Sequence, residues 1–120
     1  MVRRDVAIVR VYDDPGRQRG DYRVLVDRLW PRGQSKEAVD HDEWVKDATP
    51  STDLRRWYGH DPRRFSEFAQ RYRAELEVPP AADVVSQLRK ATKARRVILL
   101  TATRDIEHSG ATVLRDAIER

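Results

Sequence analysis

Apolar residues run through this chain in two rhythms, one of strands and one of helices. Val6-Ala7-Ile8-Val9-Arg10-Val11-Tyr12 is rich in β-branched residues and closes on Asp13-Asp14-Pro15-Gly16, a turn composition, so it predicts a first strand. After a polar loop with Arg17 and Arg19, expected to be exposed and mobile, Tyr22-Arg23-Val24-Leu25-Val26 predicts a second strand. Its apolar centre suits a place inside a sheet. Val97-Ile98-Leu99-Leu100 has four large apolar residues in a row, the mark of a strand buried on both faces in the middle of a parallel sheet.

Between and after these runs the period changes to that of a helix. Ser51 or Thr52 followed by Asp53 reads as the start of a short helix ending near Trp57-Tyr58-Gly59. Asp61-Pro62 opens the next, where Phe65, Phe68, Ala69, Tyr72 and Leu76 recur at steps of three and four until Pro79-Pro80. Val84, Val85, Leu88 and Ala91 repeat the pattern over residues 83–93, and Ile106, Gly110, Val113, Leu114 and Ala117 carry a last helix to the C-terminus. Residues 35–48 have only Val39, Trp44 and Val45 as anchors, with Ser35-Lys36-Glu37-Ala38 as a short helical start. The order predicts an α/β fold, a small three-layer sheet, mostly parallel and flanked by helices, as a single domain over residues 1–120.

Composition narrows the function classes. The chain contains no cysteine, which removes disulfides, thiolate metal sites and cysteine nucleophiles. No apolar stretch nears the roughly 20 residues needed to span a bilayer, and residues 1–5 lead into no secretion-type apolar core, so the expectation is a cytoplasmic protein without a membrane partner. The net charge of +4 permits anion binding but is mild for a dedicated DNA binder. Arginines number 20 against 4 lysines. Guanidinium groups make paired bonds to phosphate oxygens, and genomic base composition produces the same excess.

Two stretches carry candidate chemistry. Asp27-Arg28-Leu29-Trp30-Pro31-Arg32-Gly33 follows the second strand directly, where α/β proteins place their sites. Pro31 and Gly33 make it a rigid, irregular loop. Its functional reading is an anion pocket with Arg28 and Arg32 as the charges and Trp30 as a wall. Its structural reading is an ion pair from Asp27 to an arginine, with Trp30 in the core. The second stretch, Thr101 to His108, joins the buried strand to the last helix, where free amides and Arg104 attract anions. There Thr103 or Asp105 can equally serve as a helix cap.

Trp57, Tyr58 and His60 form an aromatic corner that is either a pocket wall or plain packing. His60 beside Asp61, or His108 near Asp105 and Glu107, are the candidate acids or bases, and the two histidines with a carboxylate are the one conceivable metal set. His41, between Asp40 and Asp42, reads as solvated. The candidate ligand set is therefore Asp27, Arg28, Trp30, Arg32, Trp57 and Arg104, and the candidate catalytic set His60, His108 and Asp105, with the question of a cofactor left open. The favoured partner is a small anionic ligand. A nucleic-acid-binding or regulatory module and a metal-dependent hydrolase are the alternatives.

These residues also resemble a known family. Val26-Asp27-Arg28-Leu29-Trp30-Pro31-Arg32-Gly33, the run from Ala48 to Pro62, Arg71-Tyr72-Arg73-Ala74-Glu75-Leu76 and Arg104-Asp105-Ile106-Glu107-His108 resemble the YeaO-like branch of the family called domain of unknown function 488. The resemblance implies a small α/β fold, a mostly bacterial and cytoplasmic distribution, and no particular reaction. Relatives in the wider family look as if they place a Cys-His-Arg cluster on the last helix. This chain lacks the cysteine.

Overall fold

The computed structural model describes residues 5–120, so the reading of residues 1–4 as leaderless falls outside it. One sheet organises the chain. Its strands are β1 (Val6–Arg10), β2 (Asp21–Leu25), β3 (Glu43–Trp44) and β4 (Arg96–Thr101). All pair in parallel, in the order β1-β4-β2-β3. The last strand in sequence thus lies between the first two, with Val24 opposite Leu99 and Ile8 opposite Leu99 on its other side. That explains the run Val97 to Leu100, of which no residue is more than 2% exposed. A strand paired on both edges and covered on both faces has no solvent side to make polar.

Four helices follow from the predicted patterns: α1 (Thr52–Tyr58), α2 (Phe65–Glu75), α3 (Ala81–Ala91) and α4 (Gly110–Glu119). Ser51 caps α1, its hydroxyl accepting from the Leu54 amide at 3.2 Å. Asp61 caps a 3-10 turn over Pro62–Arg64 that leads into α2. Alternate strand residues then divide the core. Val24, Val26, Val97 and Leu99 face the helices, joining Phe68, Tyr72, Leu88 and Leu114. Leu25, Ile98 and Leu100 face the other way, joining Val11 and Val39, with Trp30 and Trp44 packed against them. This second layer is built from the long connection between β2 and β3.

Local expectations shift in four places. β1 stops at Arg10, and Val11–Asp13 form a 3-10 turn that turns Val11 into the second core. Ser35 to Ala38 form a turn rather than a helix, closed by the Ala38 amide on the Ser35 carbonyl at 3.1 Å. The loop of Arg17 is not loose: Arg17 bonds both Asp40 and Asp42 at 2.9–3.1 Å, which ties it to the chain entering β3. Beneath it Arg23, 1% exposed, pairs with Asp14 and donates to the Asp40 carbonyl at 2.5 Å. The short β3 itself carries no propensity signal beyond Trp44, and exists because Val45 donates to Leu25 and Asp42 to Arg23. Among the described residues no helix is long and apolar enough to cross a membrane.

Candidate functional site

The strands all point their C-terminal ends the same way, so the segments that follow them meet. Asp27 follows β2 and Thr101 ends β4. The Thr101 hydroxyl donates to one Asp27 oxygen at 2.6 Å, and the Ala102 amide donates to the other at 2.6 Å. The two loops singled out in the sequence are therefore bonded to each other. Asp27 makes no ion pair with an arginine among the described residues.

Around this junction lies a cleft of about 450 Å³. Its floor and walls come from residues 26–32, Thr101 to Thr103, Ser109 to Ala111, the end of α1 and Tyr12. The loop from Asp27 is held by three bonds to backbone oxygen: Tyr12 hydroxyl to the Arg32 carbonyl at 2.7 Å, Trp30 indole to the Gln34 carbonyl at 2.7 Å, and Trp44 indole to the Asp27 carbonyl at 2.6 Å. These bonds and the fixed backbone of Pro31 hold the main chain that carries the exposed Arg28 and Arg32 side chains.

Arg28, Arg32, Arg55 and Arg56 all line the cleft. Among the described residues Arg10, Arg17, Arg23, Arg63, Arg64, Arg71, Arg96 and Arg115 each pair with a carboxylate. The four cleft guanidinium groups form no hydrogen bond or ion pair among the described residues, and the Arg55 ε nitrogen is buried without a partner. Arg10 and Arg73 also bury an unpartnered ε nitrogen, but neither lines the cleft.

Two ionisable groups share this space with the arginines. Burial pushes the Asp27 carboxyl above its ordinary range, against the pull of its bonds from Thr101 and Ala102 and the nearby His60. His60 borders the cleft with a left-handed backbone, φ 56°, directly after Gly59 at φ 54°. A non-glycine residue held there costs about 1 kcal/mol, which the α1 C-cap bond from the Gly59 amide to the Arg55 carbonyl helps offset.

The structure brings together Asp27, Arg28, Trp30, Arg32 and His60, and places the other sequence candidates elsewhere. Trp57 faces away, with Arg71 stacked on its ring at 4.5 Å and Arg64 at 5.3 Å. Arg104 is exposed and does not line the cleft. Asp105 caps a 3-10 turn at Ile106–His108, not the last helix: it accepts the His108 amide at 3.3 Å and holds the His108 ring through Nδ1 at 2.8 Å. His108 packs edge-on to Phe65, and its carbonyl accepts the Tyr58 hydroxyl. His41 is not solvated as its acidic neighbours suggested. It is half-buried, 5.3 Å from Trp30, because Arg17 takes Asp40 and Asp42.

Arg55, Arg56 and Tyr12 were not among the sequence candidates. The signal for Arg55 was its place one helical turn before Tyr58, a buried position, which turns its guanidinium stem inward. Among the described residues no group of three or more histidines and carboxylates converges to hold a metal.

Comparisons with known proteins place the chain in one family. The family described as "Inactive DUF488-N3 subclade" matches residues 5–120, and the chain belongs to it. An uncharacterized protein of Mycobacterium tuberculosis is 46% identical over 109 residues, covering 91% of this chain and 89% of its own. The uncharacterized protein YeaO of Escherichia coli is 38% identical over 107 residues, covering 89% and 90%. No solved structure matches.

Proposed function

We propose that this member of the subclade binds a small phosphorylated or carboxylated anion in the cleft at the C-terminal edge of its sheet, without turning it over. The observation that carries the reading is the set of four arginines, Arg28, Arg32, Arg55 and Arg56, which border one hollow and have no carboxylate partner. Guanidinium groups left unpaired inside a fold that pairs most of the others are available to a ligand's oxygens. Membership of a subclade described as inactive favours binding over turnover. So does the pairing of His108 with Asp105 away from the cleft, which leaves His60 as the one histidine among the described residues that lines it. Asp27 sets the floor: it fixes the loop through its bonds from Thr101 and Ala102.

Titration calorimetry with inorganic phosphate and ribose 5-phosphate, at two ionic strengths, tests this. The expected result is saturable binding with a modest salt dependence, weakened about tenfold or more in Arg55→Met and in Arg56→Ala, since a hydrogen bond to a charged group contributes roughly 1.5–3 kcal/mol. Binding that both variants retain in full places the anion elsewhere. No binding of either anion, with steep salt-dependent binding of nucleic acid instead, replaces the small-anion cleft with a backbone-binding surface.

A further inference from the structure

Trp30 borders two hollows. On one side is the arginine cleft, and on the other an open groove lined by Trp30, Gln34, Lys36, His41 and Trp44. We propose that this groove seats a nucleobase, and that the ligand of the cleft is a nucleotide whose phosphate reaches Arg28 and Arg32 while its base lies among the indoles. The inference rests on the anion-binding reading of the cleft and names the chemical class of its ligand.

Three features of the groove lead to a base. Its aromatic rings are held in place before any ligand arrives. Trp30 lies 5.4 Å from Trp44 and 5.3 Å from His41, both edge-on, and each indole N–H is already spent on a backbone carbonyl, Gln34 and Asp27 respectively. Rings so fixed lose little freedom on stacking. The bond from Trp44 to Asp27 also ties the groove to the floor of the cleft.

The charge of the groove selects against the usual alternative. Aromatic cages that take a quaternary ammonium need a neutral or acidic surround. Here Lys36 lines the groove, Lys46 already sits 3.9 Å over the Trp44 ring, and the acids beside His41, Asp40 and Asp42, are held by Arg17. Basic side chains already attend these rings, and a planar ring attached to a negative group fits. Arg28 and Arg32 flank Trp30 at two residues on either side, in a loop kept irregular by Pro31, and Trp30 is common to both hollows. At the rim the Gln34 side chain makes no hydrogen bond among the described residues, and its amide offers a donor and an acceptor to a base edge.

A nucleoside monophosphate presents this chemistry either free or as the 5′ end of a strand. The test compares AMP, GMP, CMP and UMP with ribose 5-phosphate, the parent nucleosides, and short single strands with and without a 5′ phosphate. At least one mononucleotide is expected to bind about tenfold tighter than ribose 5-phosphate, the order of effect of one base stacked on an aromatic side chain. His41→Ala and Gln34→Ala, which line the groove and not the cleft, should reduce that advantage and leave ribose 5-phosphate binding in place. Should His41→Ala not fold, quenching of indole emission in the unaltered chain by mononucleotide, and not by ribose 5-phosphate, reads the same contact. A 5′-phosphorylated strand that outbinds every mononucleotide identifies a strand end as the source and supports the shared chemistry. Equal affinity for nucleotide and ribose 5-phosphate overturns the base site and leaves the anion cleft standing. Loss of both ligands overturns the cleft with it, and equal binding of strands with and without a 5′ phosphate overturns the nucleotide reading.

Discussion

The carboxylate of Asp27 accepts the hydroxyl of Thr101 at 2.6 Å, a bond between residues 74 positions apart that joins the ends of two neighbouring strands. With the Ala102 amide on its other oxygen, Asp27 fastens the arginine loop to the turn after β4. Everything the cleft does depends on that junction.

Replacing Asp27 should therefore cost stability. Asp27→Ala leaves the Thr101 hydroxyl and the Ala102 amide without their acceptor, for a loss of about 1–3 kcal/mol in urea unfolding, and Asp27→Asn, which still accepts one bond, should lose less. An unchanged midpoint in Asp27→Ala would mean that the loop is held by its indole and tyrosine bonds alone.

The same residue predicts a pH dependence. Burial raises the Asp27 pKa in the folded chain, so the folded state binds the proton more tightly than the unfolded state. Its contribution is fully present below the unfolded carboxylate value, about 3.9, and is lost as pH rises through the higher folded value. Relative to Asp27→Asn, the unaltered chain should lose melting temperature across that window and run parallel above it. A difference that grows with the opposite sign would show Asp27 to be stabilised as the anion.

Arg55 and Arg56 make the opposite prediction for stability. Neither guanidinium has a partner to lose, so Arg55→Met and Arg56→Ala should shift unfolding by no more than about 0.5 kcal/mol, and Arg55→Met, which removes a buried unpaired donor, should move it upward. Thermal unfolding without ligand measures this, and a drop of several degrees would reveal a structural role for the pair.

Gly110 opens α4 against the core. A β-carbon there would lie 3.3 Å from the Tyr72 ring and 3.6 Å from Pro50. Tyr72 cannot yield, being 1% exposed with its hydroxyl bonded to the Ala48 carbonyl. Gly110→Ala should thus destabilise by about 1 kcal/mol despite its better helix propensity. A more stable variant would show that the ring has room to move.

Under the first loop, Asp14 pairs with the buried Arg23. Asp14→Ala strands that charge and should cost about 3 kcal/mol, whereas Asp14→Ala combined with Arg23→Met should recover part of the loss. Equal losses in the single and double variants would mean the Asp40 carbonyl alone satisfies Arg23.

The sequence by itself determined the elements and their burial. The apolar run of β4, the steps of three and four along α2, and the caps Ser51 and Asp61 are local rules of period and hydrogen bonding, and they appear where they were expected. It also marked Asp27 to Gly33 and Thr101 to His108, since both follow strands. Only the tertiary structure decided that these two loops touch, because strand order is set by which faces pack best over the whole chain and not by any local pattern. The insertion of β4 between β1 and β2 puts Thr101 beside Asp27, turns Arg55 and Arg56 of α1 into the same cleft, and leaves Trp57, Arg104 and His108 outside it. It is the long connection folding over the second face that moves His41 from expected solvent into the aromatic groove.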